Sequence, residues 1–218
     1  MVGFFQDFRF EFSNLKSKPA TRCGLFCFWQ TAVKLYGIAM SGHTMEHKSI
    51  AVAEGTGHFE VIALRSFTPG EILFRIEGKR AAHPTRFTVQ IDEGVHIDLD
   101  DGIDIDKIRY RYYWRFMNHS CVPNTYIRNL EVVALKLISS GEQITFNYNT
   151  TEFDMAAPFV CNCGQSPCLG LIRGFKHLPA NEQERLQPIL APYLQRHFTN
   201  QKMPTATYAK TIRRFDAT

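Results

Sequence analysis

The stretch that most restricts how this chain can fold is Arg115–Asn124, which reads Arg-Phe-Met-Asn-His-Ser-Cys-Val-Pro-Asn. It packs a cation, an aromatic ring, two amides, an imidazole, a hydroxyl and a thiol into ten positions, and a proline fixes the backbone near its end. Burying such a segment requires a partner for every polar group. It must therefore lie against other polar structure, and the mix of groups points to ligand binding, to metal ligation, or to both.

A second constraint lies downstream. Cys161-Asn162-Cys163 followed by Cys168 supplies three thiolates from one loop. A structural zinc ion takes four ligands in a tetrahedron, so one more must come from elsewhere in the chain. Cys23 and Cys27 lack a second pair nearby and read as ordinary thiols. The six cysteines are not spaced as a secreted disulfide framework, and no clear signal peptide precedes them, which favours a reduced, intracellular, metal-binding use. The apolar run from Cys23 to Trp29 is too short to span a membrane.

Together these residues resemble the signature of the SET-domain protein lysine methyltransferases. Arg115-Phe116 precedes Asn118-His119-Ser120-Cys121-x-Pro123-Asn124, and Gly141-Glu142-Gln143-Ile144-Thr145-Phe146-Asn147-Tyr148 follows. Cys161-Asn162-Cys163 with Cys168-Leu169-Gly170 is similar to the family's post-SET segment. The resemblance covers Ser49 to Phe175 and is strongest from Arg115 onward.

It implies transfer of a methyl group from S-adenosylmethionine to a lysine amine. Tyr148 matches the family's catalytic tyrosine, and Arg115, Phe116, Asn118, His119 and Tyr148 would line the cofactor pocket. Cys121 would join Cys161, Cys163 and Cys168 around Zn²⁺, with His177 as the alternative fourth ligand. Phe146 stands where the family varies between Phe and Tyr, and the resemblance implies that Phe leaves room for more than one methyl group. The second tyrosine of the lysine channel is not identified; Tyr110, Tyr112 and Tyr113 are candidates.

The sequence departs from the family pattern in two places. His58 and Glu60 stand where Gly-x-Gly is expected, with Gly55 and Gly57 three residues earlier, and Arg111-Tyr112 replace Gly-Asn. Two other readings therefore stay open: a SET-like binding module without catalysis, and a methyltransferase acting on a non-protein amine.

The remaining sequence suits a mainly β fold of small sheets. Apolar or alternating segments at Asp7–Ser13, Ser49–Ala53, Val61–Leu64, Ile72–Ile76, Arg86–Ile91, Val95–Leu99, Leu130–Leu137 and Ile144–Tyr148 read as strands, with a Pro-Gly turn at Thr68–Glu71. The resemblance adds a C-terminal pseudoknot that brings Asn118–His119 beside Tyr148. Leu186, Ile189, Leu190, Tyr193, Leu194 and Phe198 have helical spacing, but Pro188 and Pro192 break one straight helix into two short ones or a kinked one.

With 218 residues, the expected organisation is an N-terminal extension over 1–44, a SET domain over 45–157, a post-SET zinc segment over 158–176 and a helical extension over 177–218. Met40 or Met45 could be the native start. The net charge of +4 does not argue for nucleic acid, and seven acids between Asp92 and Asp106 form either a solvated surface or one that attracts a basic peptide. The expected protein is a monomer with a lysine-bearing substrate, histone or other, and no membrane or nucleic-acid contact. It would be cytoplasmic in a prokaryote and nuclear or cytoplasmic in a eukaryote.

Overall fold

The computed structural model of the protein describes residues 34–36, 49–54 and 58–202. All belong to the compact unit Val33–Thr218; the other unit, Met1–Ala32, lies outside the described residues, and with it the strand expected at Asp7–Ser13 and the thiols of Cys23 and Cys27.

In chain order the strands are β1 (Lys34–Tyr36), β2 (Ile50–Glu54), β3 (Phe59–Ala63), β4 (Ile72–Arg75), β5 (Lys79–Ala81), β6 (Val89–Asp92) and β7 (Val95–Asp98). Helix α1 (Ile105–Arg111) follows, and then β8 (Asn118–His119), β9 (Thr125–Arg128), β10 (Glu131–Ala134), β11 (Gln143–Phe146), β12 (Phe159–Val160) and β13 (Leu171–Ile172). Two short helices, α2 (Ala180–Leu186) and α3 (Pro192–Lys202), come last. The fold is mainly β, as expected, and Pro188 sits in a 3-10 turn between α2 and α3. Pro192 opens α3, where its missing N–H has no helical partner to lose. Lys34–Tyr36, inside the stretch expected as an extension, pairs antiparallel with β2.

Among the described residues four small sheets form: β1-β2-β3-β11-β8, β4-β10-β9, β5-β7-β6 and β12-β13. Two turns are built alike. At Thr68–Glu71 and Ser139–Glu142 a glycine with φ of +84° and +85° closes the turn, and the following glutamate accepts from the first residue's N–H at 3.0 Å. A side chain at either glycine would be strained in that left-handed backbone.

The polar segment is satisfied by β11. β8 pairs with β11 in parallel, Thr145 opposite Asn118 and Phe146 opposite His119. Asn124 then serves as a surrogate strand edge: its Oδ1 accepts from Thr145 N at 2.8 Å and its Nδ2 donates to Gln143 O at 2.8 Å. Ser120 N donates to Phe146 O at 3.1 Å. The Asn124 amide and the Ser120 N–H thus help to fold residues 143–148 back alongside 118–124, the juxtaposition that the expected pseudoknot demands.

The main core gathers Val61, Phe67, Trp114, Met117, Val132, Ile144 and Phe146. A second cluster, Phe175, Leu186, Leu190, Tyr193 and Leu194, holds the terminal helices, and a third joins Cys121, Cys161 and Ile172. Within the aromatic stretch Tyr110–Phe116, Tyr112 and Trp114 are buried in the core, and the Tyr112 hydroxyl donates to Asp100 at 2.6 Å.

Candidate active site and metal centre

A cleft of about 810 Å³ opens between the β8–β11 junction, the residues preceding β6 and residues 155–159. Arg115, Phe116, Asn118, Phe146 and Tyr148 stand on its wall. Asn118 Nδ2 donates to Phe59 O at 3.0 Å, which ties the start of β3 to β8. Phe59 packs edge-on against Phe116 at 5.5 Å. Arg115 lies over the Phe87 ring at 3.7 Å and donates to the Phe87 carbonyl at 2.9 Å.

Tyr148 begins the 3-10 turn that follows β11. Its hydroxyl donates to Met117 O at 2.7 Å, and its ring lies 4.8 Å from Phe146. Burial pushes the phenol up to about 12, with the charge of Glu152 adding to the effect. A phenol that stays neutral is no base at ordinary pH. With its proton on Met117 O, its oxygen lone pairs remain available to a donor or cation in the cleft.

The His119 ring does not line the cleft. Its Nδ1 accepts from Tyr148 N at 3.2 Å, which puts the ring proton on Nε2, and Nε2 faces Cys121 Sγ at 3.4 Å. Burial pushes its pKa down to about 4, so the ring is neutral. It stands edge-on to Tyr148 and Phe159 and bridges the cleft wall and the cysteines.

Cys121, Cys161, Cys163 and Cys168 bring their sulfur atoms within 4.8 Å of one another. The 121–161, 121–168 and 163–168 separations are 3.9, 4.0 and 3.9 Å. Four sulfurs at about 2.3 Å from one zinc ion stand about 3.8 Å apart, so the donor set and its spacing fit Zn²⁺. Backbone N–H groups of Cys163, Leu169 and Gly170 point at these sulfurs at 3.4–3.5 Å, the outer contacts that support thiolate ligands. The alternative ligand, His177, is engaged elsewhere: its Nε2 meets Asp154 Oδ1 at 2.9 Å.

Residues 58–149 match the family model described as "SET domain". Among its relatives, the "Histone-lysine N-methyltransferase, H3 lysine-36 specific" of Gibberella zeae is 32% identical over 121 residues, 49% of this chain but 13% of that protein. The "Methyltransferase flvH" of Aspergillus flavus is 34% identical over 109 residues, 48% of this chain and 55% of that one. A crystal structure of KRYPTONITE in complex with mCHH DNA, H3(1-15) peptide and SAH overlaps 54% of this chain and 28% of its own at 19% identity and a TM-score of 0.41.

Where the chain departs from the expected pattern, other contacts are made. His58 and Phe59 line the cleft at the altered glycine loop; Gly55 and Gly57 lie outside the described residues. Arg111 bonds Glu77 at 3.0 Å, while Tyr112 is buried against Asp100. None of Tyr110, Tyr112 and Tyr113 lines the cleft. Sequence reasoning missed Phe87 and Glu152, which do. Glu152 is set by how β6 meets the segment after Tyr148, and Phe87 by its contacts with Arg115, pairings between distant stretches that no local pattern announces.

Proposed function

We propose that this protein is a lysine N-methyltransferase that uses S-adenosylmethionine. The observation that carries the reading is the neutral Tyr148 hydroxyl on Met117 O, set in a cleft beside four clustered cysteines. When bound, S-adenosylmethionine supplies an electrophilic methyl group on a sulfonium.

The chain's own part is to prepare and aim the amine. A lysine with pKa near 10.4 costs about 5 kcal/mol to deprotonate at pH 7. The aromatic walls, Phe59, Phe116, Phe146 and Phe159, keep the amine dry and disfavour its charged form. The Tyr148 oxygen orients the amine, and alignment supplies the rest of the acceleration. Arg115, Phe116 and Asn118 would hold the cofactor from the cleft wall, with His119 contributing through its backbone. Zn²⁺ on Cys121, Cys161, Cys163 and Cys168 would pin residues 158–176 to the SET core at 45–157, with 177–218 as a C-terminal extension.

The substrate would be a histone or other lysine-bearing protein, met by a monomer in the nucleus or cytoplasm. No helix among the described residues is long and apolar enough to cross a membrane. A non-protein amine is the second reading, favoured by the relative that shares more than half its length and is named only as a methyltransferase. Labelled methyl transfer from S-adenosylmethionine into a histone H3 peptide and into free lysine, with Tyr148→Phe as control, separates the two. Absence of transfer to either, in a protein that S-adenosylmethionine stabilises thermally, would leave a cofactor-binding module and sink the enzymatic reading.

A further inference from the structure

Glu152 is 8% exposed, lines the cleft together with Tyr148 and Phe146, and is the only carboxylate among the described residues that line it. Its backbone N–H donates to Tyr148 O at 2.9 Å, so it sits one turn beyond the phenol. One oxygen is occupied: Oε1 accepts from Gln90 N at 2.8 Å and from Thr151 Oγ1 at 3.3 Å. The other, Oε2, has no hydrogen-bond or ion-pair partner among the described residues. The site is braced from two sides. Gln90 Oε1 accepts from Phe153 N at 2.9 Å, and the Tyr193 hydroxyl of α3 donates to Thr151 O.

A buried carboxylate without a cation costs several kcal/mol. Three arginines, Arg86, Arg109 and Arg115, line the same cleft, yet none forms an ion pair with it. The missing cation is one that the cleft receives. We infer that Glu152 is a catalytic residue whose Oε2 meets the ammonium of the substrate amine and accepts its proton before methyl transfer.

This inference rests on the proposed methyltransferase reading. In the step, an Nζ–H bond breaks, its electron pair stays on nitrogen and the proton passes to Oε2. The freed pair forms the N–CH₃ bond, while the pair of the S–CH₃ bond leaves with the sulfur of S-adenosylmethionine. Oε2 then releases its proton to water at the cleft mouth. Burial pushes the Glu152 carboxyl up to about 7, against the Gln90 and Thr151 hydrogen bonds that favour its charge. An acceptor titrating there takes a proton more readily than an ordinary carboxylate. The groups that face it do not compete. Tyr148 and Tyr193 are both raised by burial and stay neutral, and Asp92 on β6 is paired with Arg196 at 2.7 Å.

The test is Glu152→Gln, which keeps the shape and an acceptor for Gln90 N. Methyl transfer to histone H3 peptide and to free lysine is followed from pH 5.5 to 10. In the wild type kcat/KM should rise through a limb near pH 7 as Oε2 ionises. The variant should lose about 10²–10⁴-fold in kcat/KM at neutral pH, lose that limb, and recover towards pH 10 as the amine deprotonates in solution. Glu152→Asp, which retains a carboxylate, should keep the limb. A wild-type profile with no limb near 7, or a Gln variant that matches the wild type, overturns the role of Glu152. The wild-type profile decides even if the variant fails to fold. Lack of any transfer by the wild type instead overturns the methyltransferase reading on which the inference rests.

Discussion

Replacing His119 with leucine tests whether this ring couples the cysteine cluster to the cleft. The substitution keeps most of the side-chain volume and removes two polar contacts: the acceptor for Tyr148 N at 3.2 Å and the Nε2 contact with Cys121 Sγ at 3.4 Å. A backbone N–H left without a partner costs about 1–3 kcal/mol. Loss of an outer hydrogen bond to a metal ligand typically lowers metal affinity about 10–100-fold. We therefore expect the zinc-loaded protein to lose roughly 2–6 kcal/mol in denaturant unfolding, from the bare N–H and the weakened metal together, with zinc affinity falling about 10–100-fold against a chromophoric chelator. His119→Asn separates the contacts, because its Oδ1 sits where Nδ1 was. It should recover the share due to the Tyr148 N–H, about 1–3 kcal/mol, and keep the loss in zinc affinity. Substitution by Co²⁺ gives a readout independent of activity, through the sulfur-to-metal absorption of the four-thiolate site. If His119→Leu bound zinc as tightly as the wild type with an unchanged Co²⁺ spectrum, the ring would be packing filler and the coupling would be wrong.

Other outcomes follow from the same geometry. Glu152 has a folded pKa of about 7, above its unfolded value of 4.5, so it binds more protons when folded and stability falls as pH rises from about 4.5 to 7. Glu152→Gln should therefore match the wild type near pH 4.5 and exceed it by up to about 3 kcal/mol at pH 8, read by chemical denaturation; equal stabilities at pH 8 would show that the carboxylate is not strained by burial. Zinc withdrawal should expose residues 159–174 to proteolysis while the main β core persists, and full transfer activity in zinc-free protein would exclude the stapling role. Phe146→Tyr adds a hydroxyl beside Tyr148 and should shift products towards fewer methyl groups by mass spectrometry; an unchanged product ratio would deny Phe146 that part. Gly174→Ala places a Cβ 2.7 Å from Phe153 O at a φ of +107°, and should cost several kcal/mol by thermal unfolding, a loss that Gly70→Ala, with open space around its Cβ position, should not approach.

What was legible in the sequence was whatever local chemistry had to declare. A polar segment such as Arg115–Asn124 can be buried only against a matching edge, and the edge proved to be β11, read in advance as the strand ending at Tyr148. Three cysteines in one loop demanded a fourth ligand, and Cys121 stands at the right distance while His177 turns to Asp154. The illegible parts depend on contacts between distant stretches. Tyr110, Tyr112 and Tyr113 had the right chemistry for a second channel tyrosine, but α1 and the 3-10 turn at Tyr113–Phe116 point Tyr112 at Asp100 and pack Tyr113 on Phe74. His119 belonged by motif to the cofactor wall, yet the parallel register of β8 turns its ring towards the cysteines. Glu152 carried no signal in T-T-E-F; only the clasp between Gln90 and residues 152–153 makes its isolation visible. A carboxylate is ordinary in a loop and expensive in a dry cleft, and only the tertiary fold tells one from the other.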